Sequence, residues 1–258
     1  VIATGGIDLS QGSNVCLTGI VMAICLKANF SVGLAIAIGI FLAALLGIFN
    51  GLIIEKIKIT PFIVTLGTAS LYRGLAIIIT EGMPIYSFPT AFTFWGKGEA
   101  TQLNPPIIIA FIILLLATIL MYKTKWGQYS MAIGGNEEAL RRVGVNVGAY
   151  KVSYYLVSAL MAGLVALIIT ARLNAAEPTA GMGMELDAVT AVVMGGSLMR
   201  GGKANISGTI IACLLLGVIK NGLVILSISS YYQQFIIGFL LLSAVILAEV
   251  RQRGQVRF

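Results

Sequence analysis

The sequence lacks histidine entirely and is poor in charge, since charged residues make up 10% of its 258 residues. A typical soluble domain has about 25% charged residues. Without histidine, the chain lacks the commonest general base and metal ligand. It also has no catalytic carboxylate pair, no Cys/His cluster and no phosphate-binding G-x-x-x-x-G-K-[ST] sequence. We therefore predict that the chain is not an enzyme and has no catalytic residues, metal site or cofactor.

Cysteine is scarce, and positive charge is in excess. Cys16, Cys25 and Cys213 all lie within apolar runs without metal-ligand spacing, which is typical of small buried side chains. A net charge of +7 is compatible with nucleic-acid binding. The basic residues are distributed, however, as they are between the spans of a membrane protein. We predict no nucleic-acid partner.

Long apolar runs dominate the chain. Hydrophobic residues make up 58% of it, and no ten-residue alternation typical of a β-barrel occurs. Crossing the hydrocarbon core takes about 20 helical residues. We therefore predict an all-α integral membrane protein with about eight segments, two of which are short and glycine-flanked and suit broken or re-entrant helices. The short segments are Gly12–Leu26 and Ala188–Met199, and the others are Val32–Ile54, Pro61–Ile79, Pro106–Tyr122, Val152–Thr170, Ala204–Ile219 and Tyr231–Leu247.

Basic residues predict the orientation of these segments. If the tail after residue 250 is cytoplasmic, strict alternation also places residues 55–60, 123–151 and 200–203 in the cytoplasm, and these regions hold most of the 17 basic residues. The longest exterior loop, Thr80–Pro105, is rich in aromatic side chains, for which we expect the membrane interface, with an extracellular partner or ligand as the alternative. The chain begins at Val1 without Met, so we expect an incomplete N-terminus.

The segment 132–151, reading AIGGNEEALRRVGVNVGAYK, is the longest polar interval with a helix signal. Asn136 suits an N-cap, and Gly144 suits a left-handed helix end. Between them, the acidic residues 137–138 and the basic residues 141–142 are spaced i, i+4 in the favourable order. Leu140 and Val143 form a small apolar knob. A helix of about two turns is too short to be stable alone, so it suits a docking element, with an ordinary solvated loop helix as the alternative.

A short internal repeat is visible. GIFNGLII resembles GVIKNGLVI and aligns Asn50 with Asn221, while GGIDLS roughly echoes MELDAV and aligns Asp8 with Asp187. In the predicted orientation the two copies cross in opposite directions, as in the inverted repeats of transporters, whose paths lie at the repeat interface. Chance similarity between apolar helices is the alternative.

Charged and small residues near the membrane are further candidates. Arg73 is the one basic residue inside a clear span, where a functional role competes with snorkelling or with pairing to Glu81. Asp8 suits a cap on the helix that follows it, and Asp187 suits the same role on the other face. Small residues spaced for close helix packing recur at Gly47, Gly51, Ala159 and Gly163.

Five motifs in the same order resemble the membrane permease of monosaccharide ABC importers, the ribose type. They are GGIDLSQGS, the Asn-Gly pair at 50–51, ITPFIVTLGT, GGNEEALRRVGVNVGAYK and PTAGMGMELDAVTAVVMGGSLMRGG. The resemblance covers nearly all of the chain. Permeases for branched-chain amino acids and nucleosides share the architecture but fit GGIDLS less well. Gln11 and Asn14 stand where the family is expected to be more apolar, which leaves the exact sugar open.

The resemblance implies a multi-span helical bundle of about ten spanning helices with an inverted repeat, each about 20 residues long. The chain would then be a single transmembrane permease domain over 1–258 that lacks roughly the first two helices. The implied location is the bacterial cytoplasmic (inner) membrane, with the coupling loop and the C-terminus in the cytoplasm. The implied partners are the lipid bilayer, a second permease subunit in a homo- or heterodimer, cytoplasmic ATP-binding subunits and an extracytoplasmic sugar-binding protein.

The segment 132–151 then matches the cytoplasmic coupling-helix loop of the family, and ATP is hydrolysed by the partner subunits. ATP binding would switch the permease between outward-open and inward-open states. The residues carried over as coupling residues are Gly135, Asn136, Glu137, Glu138, Leu140, Arg141, Val143 and Gly144.

The implied function is a translocation path for a neutral monosaccharide such as ribose. We expect uncharged polar side chains along it. The alternatives are an ABC permease for another small solute such as an amino acid or nucleoside, an ion-driven secondary transporter, a membrane enzyme and an inert helix bundle. The candidate path residues are Ser10, Asn50, Thr65, Thr68, Tyr72 and Asn221.

Overall fold

The computed structural model describes residues 1–98 and 104–229, together with some residues between 232 and 246. The predicted segment Tyr231–Leu247 is described only in part, and the C-terminal tail lies wholly outside the described residues. The described part confirms the all-α prediction. It contains a 3₁₀ helix at Ile2–Thr4, the helices α1 (Gln11–Lys27), α2 (Val32–Ile57), α3 (Pro61–Thr80), α4 (Thr90–Lys97), α5 (Pro105–Lys123), α6 (Lys125–Arg142), α7 (Val147–Leu173), α8 (Met184–Met194) and α9 (Ile206–Ile225), and the antiparallel strands β1 (Ile85–Tyr86) and β2 (Ala175–Ala176).

Five of the described helices, α2, α3, α5, α7 and α9, are long and apolar enough to cross a membrane. The chain is therefore a multi-pass membrane protein. The two segments predicted to be short are short, because α1 has 17 residues and α8 has 11, fewer than the roughly 20 that a full crossing takes. The predicted start of the latter at Ala188 is wrong, since α8 already begins at Met184.

The helix ends follow local sequence signals. Pro61 and Pro105 open α3 and α5, where the missing proline N–H costs no intrahelical hydrogen bond. Ser31, Asn146 and Asn205 are the N-caps of α2, α7 and α9, and each side chain accepts a hydrogen bond from a backbone N–H of the first turn.

The described chain forms two compact units. Unit 1 comprises residue 1 with 7–127 and 145–185, and unit 2 comprises 2–6, 128–144 and the chain from 186 onward. Helix α1 is the centre of unit 1 and packs against α2, α3 and α7. Its side chains are buried around the whole helix, and Ile20 and Ala23 are fully buried. A helix buried on all sides is typical of such a central position.

Helices α2 and α7 pack closely through small residues, as predicted. A Cβ added to Gly47 would lie 2.5 Å from the Ala159 Cβ, and one added to Gly51 would lie 2.8 Å from the Val152 Cα. One added to Gly163 would lie 2.9 Å from the Ala43 Cβ. Because dispersion contacts replace the hydrophobic effect inside a bilayer, this close approach is what holds the two helices together.

The loop after α3 is folded onto unit 1 by β1 and α4. Strand β1 pairs with β2, which follows α7. Phe92 of α4 is fully buried and forms an edge-to-face contact with Phe88, at a ring distance of 5.4 Å. The prediction that the aromatic residues of this loop lie at the membrane interface is therefore wrong for these two phenylalanines, which belong to the core.

Unit 2 brings three backbone segments together at glycines. The Gly202 N–H donates to the Ala3 carbonyl at 3.0 Å. A Cβ on Gly134 would collide with both of these groups. Helices α8 and α9 pack on each other through a buried hydrophobic cluster, which comprises Ala191, Ala212 and Leu216.

Candidate functional site

A buried hydrogen-bond network in unit 1 joins the residues before α1 to α2 and α3. The Asn50 amide donates to Ser10 Oγ at 2.8 Å and accepts from the Tyr72 hydroxyl at 3.1 Å. Ser10 Oγ in turn donates to Asp8 Oδ1 at 2.6 Å. Asn50 is 1% exposed and Tyr72 is 2% exposed, a burial that polar groups tolerate when they are hydrogen-bonded. Three of the predicted path residues therefore belong to one network.

Asp8 completes this network through both of its carboxylate oxygens. Oδ1 also accepts from the Ser10 N–H at 3.1 Å, and Oδ2 accepts from Ser158 Oγ of α7 at 2.8 Å. Gln11 donates to the same serine at 2.5 Å. The predicted cap on α1 is wrong, because the helix begins at Gln11 and the N–H that donates to Asp8 precedes it. The sequence had no signal that distinguished Ser158 from the other residues of its apolar span.

The other path candidates lie in two places. Thr65 is fully buried in α3, with its hydroxyl 3.1 Å from the Ile7 carbonyl and 2.9 Å from the Pro61 carbonyl. Thr68 lies one turn further along α3, and its hydroxyl donates to the Thr65 carbonyl at 3.3 Å. Asn221 is exposed on α9 in unit 2. The structure thus gathers the unit 1 candidates around the start of α1, while Asn221 belongs to a different unit.

Arg73 of α3 holds the loop that follows α7. Its Nη1 donates to the carbonyls of Pro178 at 2.8 Å and Ala180 at 2.6 Å. The Cys16 thiol lies 3.1 Å from the same Pro178 carbonyl. The sequence-based alternatives, snorkelling and pairing with Glu81, are both wrong, because the guanidinium binds backbone oxygens within unit 1. At 1.5 Å per helical residue, Arg73 lies about 10 Å inside the end of α3. The loop therefore packs beside α1 and α3 rather than beyond the end of α3.

An ion pair joins α8 and α9 in unit 2. Asp187 Oδ2 and Lys220 Nζ are in direct contact, and the two side chains are 29% and 38% exposed. The predicted capping role of Asp187 is wrong, because this residue lies inside α8. Pairing neutralises two charges on apolar helices, where a lone charge would be costly.

The segment that follows Asn136 forms a separate short helix, as predicted. Helical hydrogen bonding continues through α6, but Asn136 has φ −157° and ψ 94° and divides it into two helical parts. Asn136 Oδ1 accepts from the Ala139 N–H at 2.9 Å, which confirms the N-cap. Gly144 has φ +82°, which confirms the left-handed end. The helical part before Asn136 was not predicted.

Both predicted ion pairs of this short helix are present. Glu137 contacts Arg141 at 2.8 Å and Glu138 contacts Arg142 at 2.6 Å. Val143 is 75% exposed. Exposed pairs of this spacing contribute about 0.3–0.5 kcal/mol each, so they support the helix and leave its apolar end accessible.

Comparison with known proteins identifies the family. Residues 1–245 match the family described as "Branched-chain amino acid transport system / permease component". The chain belongs to this permease family. The permease is 40% identical over 256 residues to the ribose import permease protein of Escherichia coli (strain K12), covering 98% of this chain and 80% of that relative. It is 41% identical over 249 residues to the ribose import permease protein of Bacillus subtilis (strain 168), covering 96% and 77%.

A third relative extends the range of sugars named. The D-allose transport system permease protein of Escherichia coli (strain K12) is 35% identical over 247 residues, covering 95% of this permease and 76% of that relative. No solved structure matches the chain. The resemblance predicted from the sequence motifs is confirmed.

The described residues of the permease contain no group of three or more His, Cys, Asp or Glu side chains that could hold a metal ion. The polar groups near the start of α1 are instead hydroxyls, an amide and carboxylates. Such groups exchange hydrogen bonds with a neutral hydroxylated solute.

Proposed function

We propose that this permease is the transmembrane subunit of an ATP-driven importer of a monosaccharide such as ribose. The observation that carries the proposal is the 40% identity to a ribose import permease over 98% of the chain. Permeases named for D-allose and L-arabinose also match, at 35% and 34% identity. These relatives favour a monosaccharide over an amino acid or a nucleoside as the solute.

The importer requires partners that this chain does not contain. We propose two cytoplasmic ATP-binding subunits, a second permease subunit and an extracytoplasmic sugar-binding protein. No phosphate-binding sequence occurs in the permease, so ATP hydrolysis is assigned to the ATP-binding subunits. The bacterial permease relatives support a location in the bacterial cytoplasmic (inner) membrane. The distribution of basic residues supports an orientation with the 132–151 segment in the cytoplasm.

The short helix 137–142 is proposed to couple the permease to the ATP-binding subunits. Its N-cap and its two internal ion pairs stabilise its helical conformation. Val143 at its end is 75% exposed and offers an apolar knob for a groove on a partner. The remaining coupling residues in this proposal are Gly135, Asn136, Leu140 and Gly144.

The path for the solute is proposed to run beside the network at the start of α1. Ser10, Asn50 and Tyr72 supply hydroxyl and amide groups that can exchange hydrogen bonds with sugar hydroxyls. Their burial in this conformation fits a path that is closed here and opens when ATP shifts the conformational population. Thr65, Thr68 and Asn221 remain candidates beside them.

The coupling proposal is tested by co-purification of the permease from native membranes. Replacing Val143 with aspartate removes the knob, and Val143→Ile serves as the matched apolar control. Burying one aliphatic side chain contributes about 1.5–3 kcal/mol, so we expect at least about tenfold less ATPase activity to co-purify with Val143→Asp. Exchanging Glu138 and Arg142 keeps their ion pair but reverses the charges that a partner meets, and it is expected to lower the co-purified activity as well.

The two results separate the candidate functions. ATPase activity that co-purifies with the parent permease and Val143→Ile, but not with Val143→Asp, supports an ABC importer. If no ATPase activity accompanies the parent permease, and uptake continues after ATP depletion under an ion gradient, an ion-driven transporter replaces this proposal.

A further inference from the structure

Glu185 carries a buried carboxylate oxygen without a hydrogen-bond donor. Oε2 is shielded from solvent, and no donor among the described residues lies within hydrogen-bond distance of it. Buried polar atoms in folded proteins almost always have a partner. An ionisable side chain at membrane depth is expensive and is retained for a function. The position of this oxygen therefore requires a role.

Two glycines bring Glu185 to the first turn of α1. A Cβ on Gly12 would collide with Glu185 Oε2 and with the Gly181 carbonyl. Gly181 has φ +75°, and a Cβ there would lie 2.5 Å from the Gly12 carbonyl oxygen. Both positions therefore require glycine, and the result is a carboxylate held against the backbone of a central helix.

The loop that leads into α8, whose second residue is Glu185, is fixed beside α1 and α3. Arg73 donates to the carbonyls of Pro178 and Ala180, a few residues before Glu185. Irregular backbone at this depth is tolerated only where protein covers it or where it lines a water-filled cavity. Arg73 satisfies two of the loop carbonyls, so the irregular backbone is stable there and the Glu185 carboxylate is held at the depth of the span.

Asp8, the other carboxylate close to the first turn of α1, provides the contrast. Its two oxygens accept hydrogen bonds from the Ser10 N–H, the Ser10 hydroxyl and the Ser158 hydroxyl. The described part of the protein thus satisfies Asp8 completely from its own groups and offers no donor to Glu185 Oε2. A hydroxyl group of the solute can supply the missing donor, because an O–H bound to a carboxylate forms a short, charge-assisted hydrogen bond.

We propose that Glu185 accepts a hydrogen bond from a hydroxyl of the monosaccharide as it crosses the permease, and that Glu185 contributes to solute selectivity. Arg73 acts as a positioning residue, since it holds the loop rather than the solute. This inference rests on the proposed function and adds to it a solute-contacting residue that the sequence analysis did not select.

The inference is tested with the complete importer in proteoliposomes, using ribose and its monodeoxy analogues as probes. ATP-driven uptake is measured for the parent, Glu185→Ala and Glu185→Gln. The control is Glu177→Gln, which changes another half-buried carboxylate, in the loop just before α8. A hydrogen bond to a charged group changes affinity by about tenfold to a hundredfold. We expect the parent to prefer ribose over one analogue by this factor.

In Glu185→Ala that preference is expected to fall at least about tenfold, because the acceptor is gone. Glu185→Gln keeps a carbonyl oxygen, so its preference for ribose is expected to lie between those of the parent and Glu185→Ala. Glu177→Gln is expected to match the parent. A merely structural role would lower all uptake rates together and leave the preference unchanged, and that result would overturn the inference.

A second measurement uses the unaltered permease and so avoids any folding defect of the variants. Carboxylates are modified with a carbodiimide, and Glu185 and Glu177 are quantified separately by peptide mapping. Saturating ribose is expected to slow modification of Glu185 but not of Glu177. Equal rates with and without ribose would overturn the inference. Failure of the parent importer to take up any monosaccharide would instead refute the proposed function.

Discussion

Replacing Asn50 with leucine is expected to destabilise unit 1 by about 1–2 kcal/mol. Asn50 is 1% exposed and makes two side-chain hydrogen bonds, to Ser10 Oγ at 2.8 Å and from the Tyr72 hydroxyl at 3.1 Å. Leucine has the same branching and the same number of side-chain heavy atoms as asparagine and a larger volume, so the substitution leaves no cavity. Hydrogen bonds between membrane helices contribute about 0.6 kcal/mol on average, and those in soluble proteins about 1 kcal/mol. Two such bonds give the expected loss.

The loss is not expected to be larger, because the former partners keep other contacts. Ser10 Oγ still donates to Asp8 at 2.6 Å. The Tyr72 hydroxyl lies 3.2 Å from the Leu46 carbonyl and can donate there. Neither former partner is therefore left as a buried donor without an acceptor, and the additional desolvation cost of an orphaned group does not arise.

The free energy of unfolding is measured by denaturant titration of the purified permease in mixed micelles. Asn221→Leu is the matched control, because Asn221 aligns with Asn50 in the predicted repeat and is exposed, so its change is expected within about 0.5 kcal/mol. A double-mutant cycle of Asn50→Leu with Tyr72→Phe is expected to give a coupling energy of about 0.5 kcal/mol or more. Equal stability of the Asn50 and Asn221 variants, with no coupling, would refute the stabilising role of the network.

Two further substitutions test helix packing and the ion pair. Gly51→Ala is expected to destabilise the permease by about 1–3 kcal/mol through overpacking, since its Cβ would lie 2.8 Å from the Val152 backbone. The control is Gly67→Ala, whose Cβ meets nothing within 4 Å. In the same unfolding assay this control is expected to be neutral or stabilising, because alanine favours helix. Lys220→Met is expected to cost about 1–3 kcal/mol because it leaves Asp187 unpaired, and adding Asp187→Asn is expected to recover stability. A double variant no more stable than Lys220→Met would argue against the ion pair.

The short helix 137–142 and the spans were predictable because their determinants are local. The cap at Asn136, the ion pairs at 137–142 and the turn at Gly144 each depend on residues within four positions of one another. The same holds for the proline-opened helices. The candidate site was harder to predict from the sequence, because its contacts join distant residues. Asp8 and Ser158 are 150 positions apart, and Arg73 and Pro178 are 105 positions apart.

The wrong predictions also arose from contacts between residues that are distant in sequence. Asp8 and Asp187 were predicted as helix caps because each lies near a helix start, where capping is the commonest local role. Each instead found a partner on another helix, Ser158 for Asp8 and Lys220 for Asp187. Phe88 and Phe92 were assigned to the membrane interface by composition alone, but the fold of their loop onto unit 1 buried them.

That this protein is helical, spans a membrane several times, carries a capped polar helix and belongs to the permease family follows from its amino-acid sequence. Those conclusions rest on bilayer thickness, on the need of every backbone group at membrane depth for a hydrogen bond, and on interactions within single helical turns. Which polar groups meet depended on tertiary packing. The packing satisfied Asp8 from within the protein and left Glu185 Oε2 without a donor among the described residues, because such pairings depend on how helices distant in sequence come together.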